Sequence, residues 1–343
     1  MDADRELRER ERQQLLGKRI SDLALRIEGS PVEALVRQLY QELGQHGLAF
    51  HPPVYLTDQW GCPDGVPLIG IPFYLADERL ARLEEEFALE VEGAADSMKY
   101  LRHECGHAYN YAYCLYDEAE WRRLFGPYSR PYRERFRVDP LSRAYVRHIL
   151  GWYAQKHPDE DFAETFAVWL TPGLDWRRVY ADWPALPKLE YVDRTMRAIG
   201  SRPPPRQQAP RPEYLPVDAM HYTLAEHYQH QAPPRIEAGL FDGDLRALFA
   251  PPEAAPQAPP AADFLRTHRR EIVRRVAYWT GEPTTVVRDF LDHLIERSAA
   301  LGVHAAGLEA SLLVELTAFI TAVVMNYRYA DGAARATRPE HAA

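Results

Sequence analysis

Apolar residues recur at helical spacing along much of this chain, with one short interruption. Residues 1–28 read as a charged helix carrying Leu15, Leu16, Ile20, Leu23 and Ile27. A second helix begins at Ser30, a candidate N-cap. Pro31 fits the first helical position, and Glu33 completes a capping box. Leu35, Val36, Leu39 and Tyr40 share its apolar face up to about Gly44. The period then changes. Val54–Thr57 and Leu68–Leu75 are strand-like and flank the turn-rich Gly61-Cys62-Pro63-Asp64-Gly65. Pro72 suits an edge strand, so the second strand is either plain sheet or an edge that takes up an extended peptide by strand addition. Helical spacing returns over residues 77–89, 95–116, 141–155 and 158–170. Asp96 or Ser97 is the candidate cap of the 95–116 helix.

Beyond Gly200 the pattern dissolves. Residues 201–262 hold 13 of the 28 prolines and read as an extended linker. Its less polar islands, Tyr214–Tyr228 and Ile236–Phe249, are candidates for docking onto a domain. Residues 263–330 form a helical unit with helices at 263–279, 283–300 and 308–329, Pro283 opening the middle one and Gly302 following it. The expected fold is α+β, mostly helical with a small sheet, divided into residues 1–200, 201–262 and 263–330. The most apolar run, Leu312–Met325, is broken by Glu315 and Thr317 and suits a buried helix, so no membrane span is expected.

Composition narrows the function classes. Hydrophobic residues make up 46 %, ordinary for a globular chain, and the net charge of -9 argues against nucleic acid as a partner. The N-terminal MDADRELRERERQQLLGKR lacks an apolar core and reads as neither secretory signal nor transit peptide. Cys62, Cys105 and Cys114 form no disulfide framework or zinc ribbon. A reducing, cytoplasmic setting is expected.

The candidate chemistry lies in His103-Glu104-Cys105-Gly106-His107, which reads H-E-x-x-H. On a helix the two histidines share a face and can bind one Zn²⁺, with Glu104 placed to act on a water. Taken alone, the pattern also fits two core histidines on an amphipathic helix. Cys105 is expected to point into the core, and Gly106 to leave space beside His107. A third ligand must come from elsewhere. Residues 153–170, YAQKHPDEDFAETFAVWL, open a helix at Pro158. Glu160 and Glu164 share one of its faces, so one carboxylate can bind metal while the next turn's holds a histidine through its other nitrogen. Asp159 fits a solvated helix start. Glu164 sits among Phe162, Ala163, Phe166, Ala167 and Trp169, where a carboxylate needs a partner.

HECGH followed by EDFAE resembles the gluzincin class of zinc metallopeptidases. It is similar to bacterial zinc-binding metallopeptidases with an H-P-x-E-D-[FW]-A-E-T-[FW]-A segment, and to the catalytic domain of anthrax lethal factor. The resemblance covers roughly residues 95–170, with a looser match back to about 50. It implies a zincin-like domain over residues 1–200, with Zn²⁺ on His103, His107 and Glu160 and with Glu164 behind a ligand histidine. It also implies that Tyr153, seven residues before Glu160, assists catalysis. The residues themselves leave Glu164, Asp161, His148 and His157 open as alternative third ligands.

The implied activity is hydrolysis of a protein or peptide, with Glu104 as general base and Tyr153 donating to the oxyanion. Two rival readings stand beside it: a partner-binding protein on a catalytically weak fold, and a zinc amidase acting on a non-peptide. The C-terminal helices are the expected site of any protein partner or dimerisation. His221, His227 and His230 match no strong metal spacing and read as linker residues. Of Tyr109, Tyr111, Tyr113 and Tyr116, some are expected to line a cleft and most to pack.

Overall fold

The charged N-terminal pattern forms a shorter helix than its apolar spacing predicts. In the computed structural model, which describes residues 2–88, 91–133, 136–206, 215–229, 239–282 and 284–336, helix α1 spans Asp2–Leu16. Past Gly17 the amides of Ile20 and Ser21 donate to the Tyr222 and Met220 carbonyls, and that of Leu224 to Lys18. These pairings replace the helical ladder and dock part of the proline-rich segment. The described chain forms two compact units, Met1–Leu83 with Val91–Tyr228, and Glu84–Glu90 with Gln229–Ala343.

Helix α2, Pro31–Gln45, has Ser30 as its cap residue, yet the capping box does not close. The Ser30 hydroxyl turns back to the Ile27 carbonyl, and the Glu33 carboxylate receives the Gly29 amide instead. Strands β1, Val54–Thr57, and β2, Ile69–Pro72, pair in parallel, Val54 opposite Ile69. A single 3₁₀ turn, Phe73–Ala76, takes over where a longer strand was expected. Nor is β2 an open edge. Gly70 exchanges backbone hydrogen bonds with Gly61 on the side away from β1. A Cβ at Gly70 would come within 2.7 Å of Thr57 Cγ2, so only glycine allows this approach. Strand addition at β2 is therefore blocked around Gly70.

Helix α3 is Glu78–Ala88 and α4 is Ala94–Tyr113. Gly93 occupies the α4 cap position, leaving Asp96 and Ser97 in the first turn. The helix stops at Cys114, whose left-handed φ of 54° frees its amide for the last carbonyls. The short α5 is Ala119–Phe125. Residues 141–155 form turns and one 3₁₀ turn, Tyr153–Gln155, in place of the expected helix. Gly151 and Trp152 take positive φ, and the His148 and Ile149 amides are committed to the Glu164 carboxylate. Next come α6, Pro158–Leu170, as predicted, and then α7, Trp176–Val179, α8, Leu186–Ile199, and α9, Leu224–Gln229.

The core of this unit is α4 against α6. Leu101, Cys105, Ala108, Tyr109 and Ala112 meet Phe162, Ala163, Phe166 and Ala167, all fully buried. Two buried ion pairs brace the helix pair. Arg102 holds Glu42 of α2 through two hydrogen bonds of 2.8 Å. Lys188 of α8 donates to Asp161 at 2.6 Å and to the Ala144 carbonyl at 2.7 Å. Burial raises Asp161 to about 7, against the pull of Lys188.

The second unit contains α10, Asp242–Leu248, α11, Ala261–Thr280, α12, Thr284–Leu301, and α13, Glu309–Ala336. Leu265, Ile272, Val276, Leu291, Leu294, Leu316 and Ile320 fill its core. Leu245 and Phe249 join them, so the end of the proline-rich stretch also docks. Pro283 and the linker positions 207–214 and 230–238 lie outside the described residues, as does His230. Among the described side chains of the apolar α13, one row is buried, Leu312, Leu316, Ile320 and Val324. Among the described residues, only its stretch Glu309–Asn326 is long and apolar enough to cross a membrane, with 22 % of it buried.

Candidate metal centre

The H-E-x-x-H pentapeptide lies in the middle of α4, and Pro158 starts α6 so that its first two turns face it. His157 caps α6. Its Nδ1 accepts the Asp159 amide at 3.2 Å, while its Nε2 donates to the Arg130 carbonyl at 2.7 Å. That engagement takes His157 out of the ligand set. His148 is likewise engaged, its ring on the Lys99 carbonyl.

Three atoms converge between the helices. His103 Nε2 lies 3.0 Å from Glu160 Oε2, His107 Nε2 lies 3.2 Å from the same oxygen, and the two Nε2 atoms are 3.1 Å apart. Around one tetrahedral Zn²⁺ with bonds near 2.0 Å, ligand atoms sit about 3.3 Å from one another. The opposite ring nitrogens face carboxylates. His103 Nδ1 donates to Glu164 Oε1 at 2.9 Å, and His107 Nδ1 to Asp159 Oδ2 at 2.8 Å. With both Nδ1 atoms protonated, both Nε2 lone pairs and a carboxylate oxygen aim at one point, an arrangement that a cation reconciles.

The charge balance agrees. Glu104, Asp159, Glu160 and Glu164 are all buried. Burial by itself lowers both imidazoles. Hydrogen bonds to Glu160 and Glu164 nevertheless carry His103 up to about 9, and the charges of Asp159 and Glu160 carry His107 well above the usual histidine range. The cluster thus demands positive charge. Two imidazolium rings at this distance repel, whereas one shared dication satisfies both rings and Glu160.

The group opens onto a cleft of about 580 Å³, walled by Trp60, Tyr111, Tyr128, Tyr132 and Tyr153 among others. Glu104 lines this cleft at 7 % exposure, and burial raises its carboxyl above the usual range. The Tyr153 ring lies 5.6 Å from that of His103, and its hydroxyl is 3.5 Å from the Tyr132 hydroxyl. Desolvation pushes the Tyr153 phenol far up, so it stays a hydrogen-bond donor.

Residues 94–173 match a protein-family model described as "Putative zinc-binding metallo-peptidase". The matched stretch contains α4 and α6 entire. Zinc is the metal that fits this group. No curated protein and no solved structure matches the chain.

Several expectations shift around the zinc site. Glu160 faces His103 Nε2 and His107 Nε2, whereas Glu164 is occupied by His103 Nδ1 and the His148 and Ile149 amides. Asp161 points to Lys188. Asp159 is not solvated. It is buried and accepts from His107, Asn110 and Tyr111. Its signal was present, since Asn110 and Tyr111 follow His107 by three and four positions and share its face. Gly106 makes room for the α6 backbone at Ala163, not for space beside His107. Cys105 is buried, as expected. Tyr109 packs on Phe166 and donates to the Phe50 carbonyl, while Tyr111 reaches the cleft. His221 meets Ser21 and His227 packs on Phe73, both away from the site. Tyr132 was missed altogether. It stands in the loop before α6, where no local pattern marks it.

Proposed function

We propose that this chain is a zinc-dependent endopeptidase that cleaves a protein or peptide in the cleft above α4 and α6. One observation carries the reading. His103 Nε2, His107 Nε2 and Glu160 Oε2 converge, with both far ring nitrogens held by carboxylates, on the floor of a cavity that Glu104 also faces. His103, His107 and Glu160 are the assigned ligands. The chemistry that zinc supplies when bound is Lewis acidity, which polarises a carbonyl and acidifies a water.

Glu104 is the general base. Its raised affinity for a proton suits a carboxylate that must take one from a water and return it to a leaving amine. Glu164 and Asp159 fix the tautomer and tilt of His103 and His107. Tyr153 keeps its proton and donates to the oxyanion of the scissile carbonyl.

The test is Glu104→Gln, which keeps shape and removes the base. Zinc content measured by atomic absorption should stay at the wild-type level, while cleavage of a peptide library, followed by mass spectrometry with and without chelator, should fall about 10²–10⁴-fold. Wild-type cleavage rates in a zinc-loaded Glu104→Gln protein would overturn the reading.

A further inference from the structure

The two oxygens of Glu160 have different neighbours. Oε2 faces the two histidine nitrogens. Oε1 receives the Tyr132 hydroxyl, an O–H donor on a carboxylate oxygen. We infer that Tyr132 is a positioning residue of the metal centre, occupying Oε1 so that Glu160 offers the metal a single oxygen. The inference rests on the zinc reading above and deepens it.

The placement of Tyr132 suits this role. Its ring packs against His157 at 5.4 Å between centroids, and the Lys156 ammonium lies 4.4 Å from its face. His157 is itself pinned between the α6 amide it caps and the Arg130 carbonyl, two residues before Tyr132. The hydroxyl is thereby aimed at Glu160 by contacts that do not involve the metal. A carboxylate bound through one oxygen leaves coordination space for water and substrate, which a two-oxygen mode would occupy. With the Tyr132 hydroxyl gone, Oε1 has lost its donor and the carboxylate can pivot toward the metal through both oxygens.

Tyr132 is 50 % exposed, so Tyr132→Phe removes a hydroxyl without opening a core cavity. Tyr113→Phe is the control, since its hydroxyl bonds the Arg202 carbonyl and lies outside the cleft. All three full-length proteins are loaded with Co²⁺, and their visible spectra are recorded. Zinc affinity is measured separately by competition with a chelating dye. In Tyr132→Phe the intense bands of a four-coordinate cobalt site should weaken toward those of a five-coordinate one, and zinc affinity should drop about 10-fold. Tyr113→Phe should match wild type in both.

A Tyr132→Phe protein with the wild-type cobalt spectrum and zinc affinity overturns the inference. If it then also loses peptide cleavage, the hydroxyl serves substrate, and the positioning role is equally refuted. A wild-type chain that takes up no cobalt or zinc overturns this inference together with the zinc reading. Metal uptake with peptide cleavage but unaltered spectra in Tyr132→Phe overturns this inference alone.

Discussion

Gly106 and Ala163 touch backbone to backbone: a Cβ on Gly106 would fall 2.8 Å from Ala163 Cα and 3.0 Å from its carbonyl oxygen. The contact sets the spacing of α4 and α6, and the residues proposed as ligands come from both. In Gly106→Ala, overpacking of about 1–3 kcal/mol competes with a helix-propensity gain of about 1 kcal/mol. The net loss of stability should be small, and the loss of zinc affinity larger, because the helices must part. Thermal unfolding of the chelated protein and dye competition for zinc separate the two effects.

Asp159 and Glu164 accept only from donors. Asp159→Asn and Glu164→Gln each turn one N–H group toward another donor. Each should lower zinc affinity about 10–100-fold, with Glu104 chemistry falling in step at limiting metal. Glu164→Gln should also destabilise the chelated protein by about 1–3 kcal/mol, since its NH2 group faces either His103 Nδ1 or both the His148 and Ile149 amides, which share Oε2. Denaturant titration in chelator tests this.

Removing the metal leaves four buried carboxylates around two histidines. Zinc at about 1,000 times its dissociation constant should add about 4 kcal/mol to the stability of the unit that holds it. Calorimetry with and without chelator should show one transition moving and the gap growing with zinc concentration. A transition indifferent to chelator would refute the site.

Arg102 and Glu42 form a buried fork next to His103. Arg102→Met alone should cost about 3–5 kcal/mol, because it leaves the buried Glu42 carboxylate without its counter-charge, with the Gln38 amide still donating to it. The double variant Arg102→Met with Glu42→Leu should recover most of that loss. Urea denaturation of the full cycle measures the coupling.

Asp193 gathers Trp169, Arg177 and Arg197 around one carboxylate. Burial raises its proton affinity, but the three hydrogen bonds outweigh that and hold it below the usual aspartate range. Its contribution is thus full above the unfolded value of about 3.9 and is lost as pH falls through the lower folded value. The difference in melting temperature between wild type and Asp193→Asn should be constant from about pH 5 to 7 and shrink at lower pH. A difference that widens on acidification contradicts this sign.

The helices that build the centre were legible because their signals are local. Pro158 at the α6 start and the apolar spacing of α4 needed no tertiary information. The bend at 141–155 was illegible for the opposite reason. Its apolar residues keep helical spacing, yet its amides go to Glu164, a partner that only the folded chain supplies. The Ser30 box failed on a one-residue shift of the donor amide, from Ser30 to Gly29, below the resolution of a motif. Asp159 was misread because an acidic first turn is ordinarily solvated, and nothing short of the α4–α6 contact buries it. Tyr132 sits 28 residues from its partner, in a loop without periodicity.

The approach of α4 to α6 also has a consequence for chain entropy. His107 and Glu160 are 53 residues apart, and the stretch between them runs through α5 and a long irregular loop. An ion held by both residues closes that stretch into a ring. A covalent cross-link over a loop of this length restricts the unfolded chain by about 4 kcal/mol, and a metal clip draws on the same restriction. The loop can then remain irregular, leaving its residues free to shape the cleft.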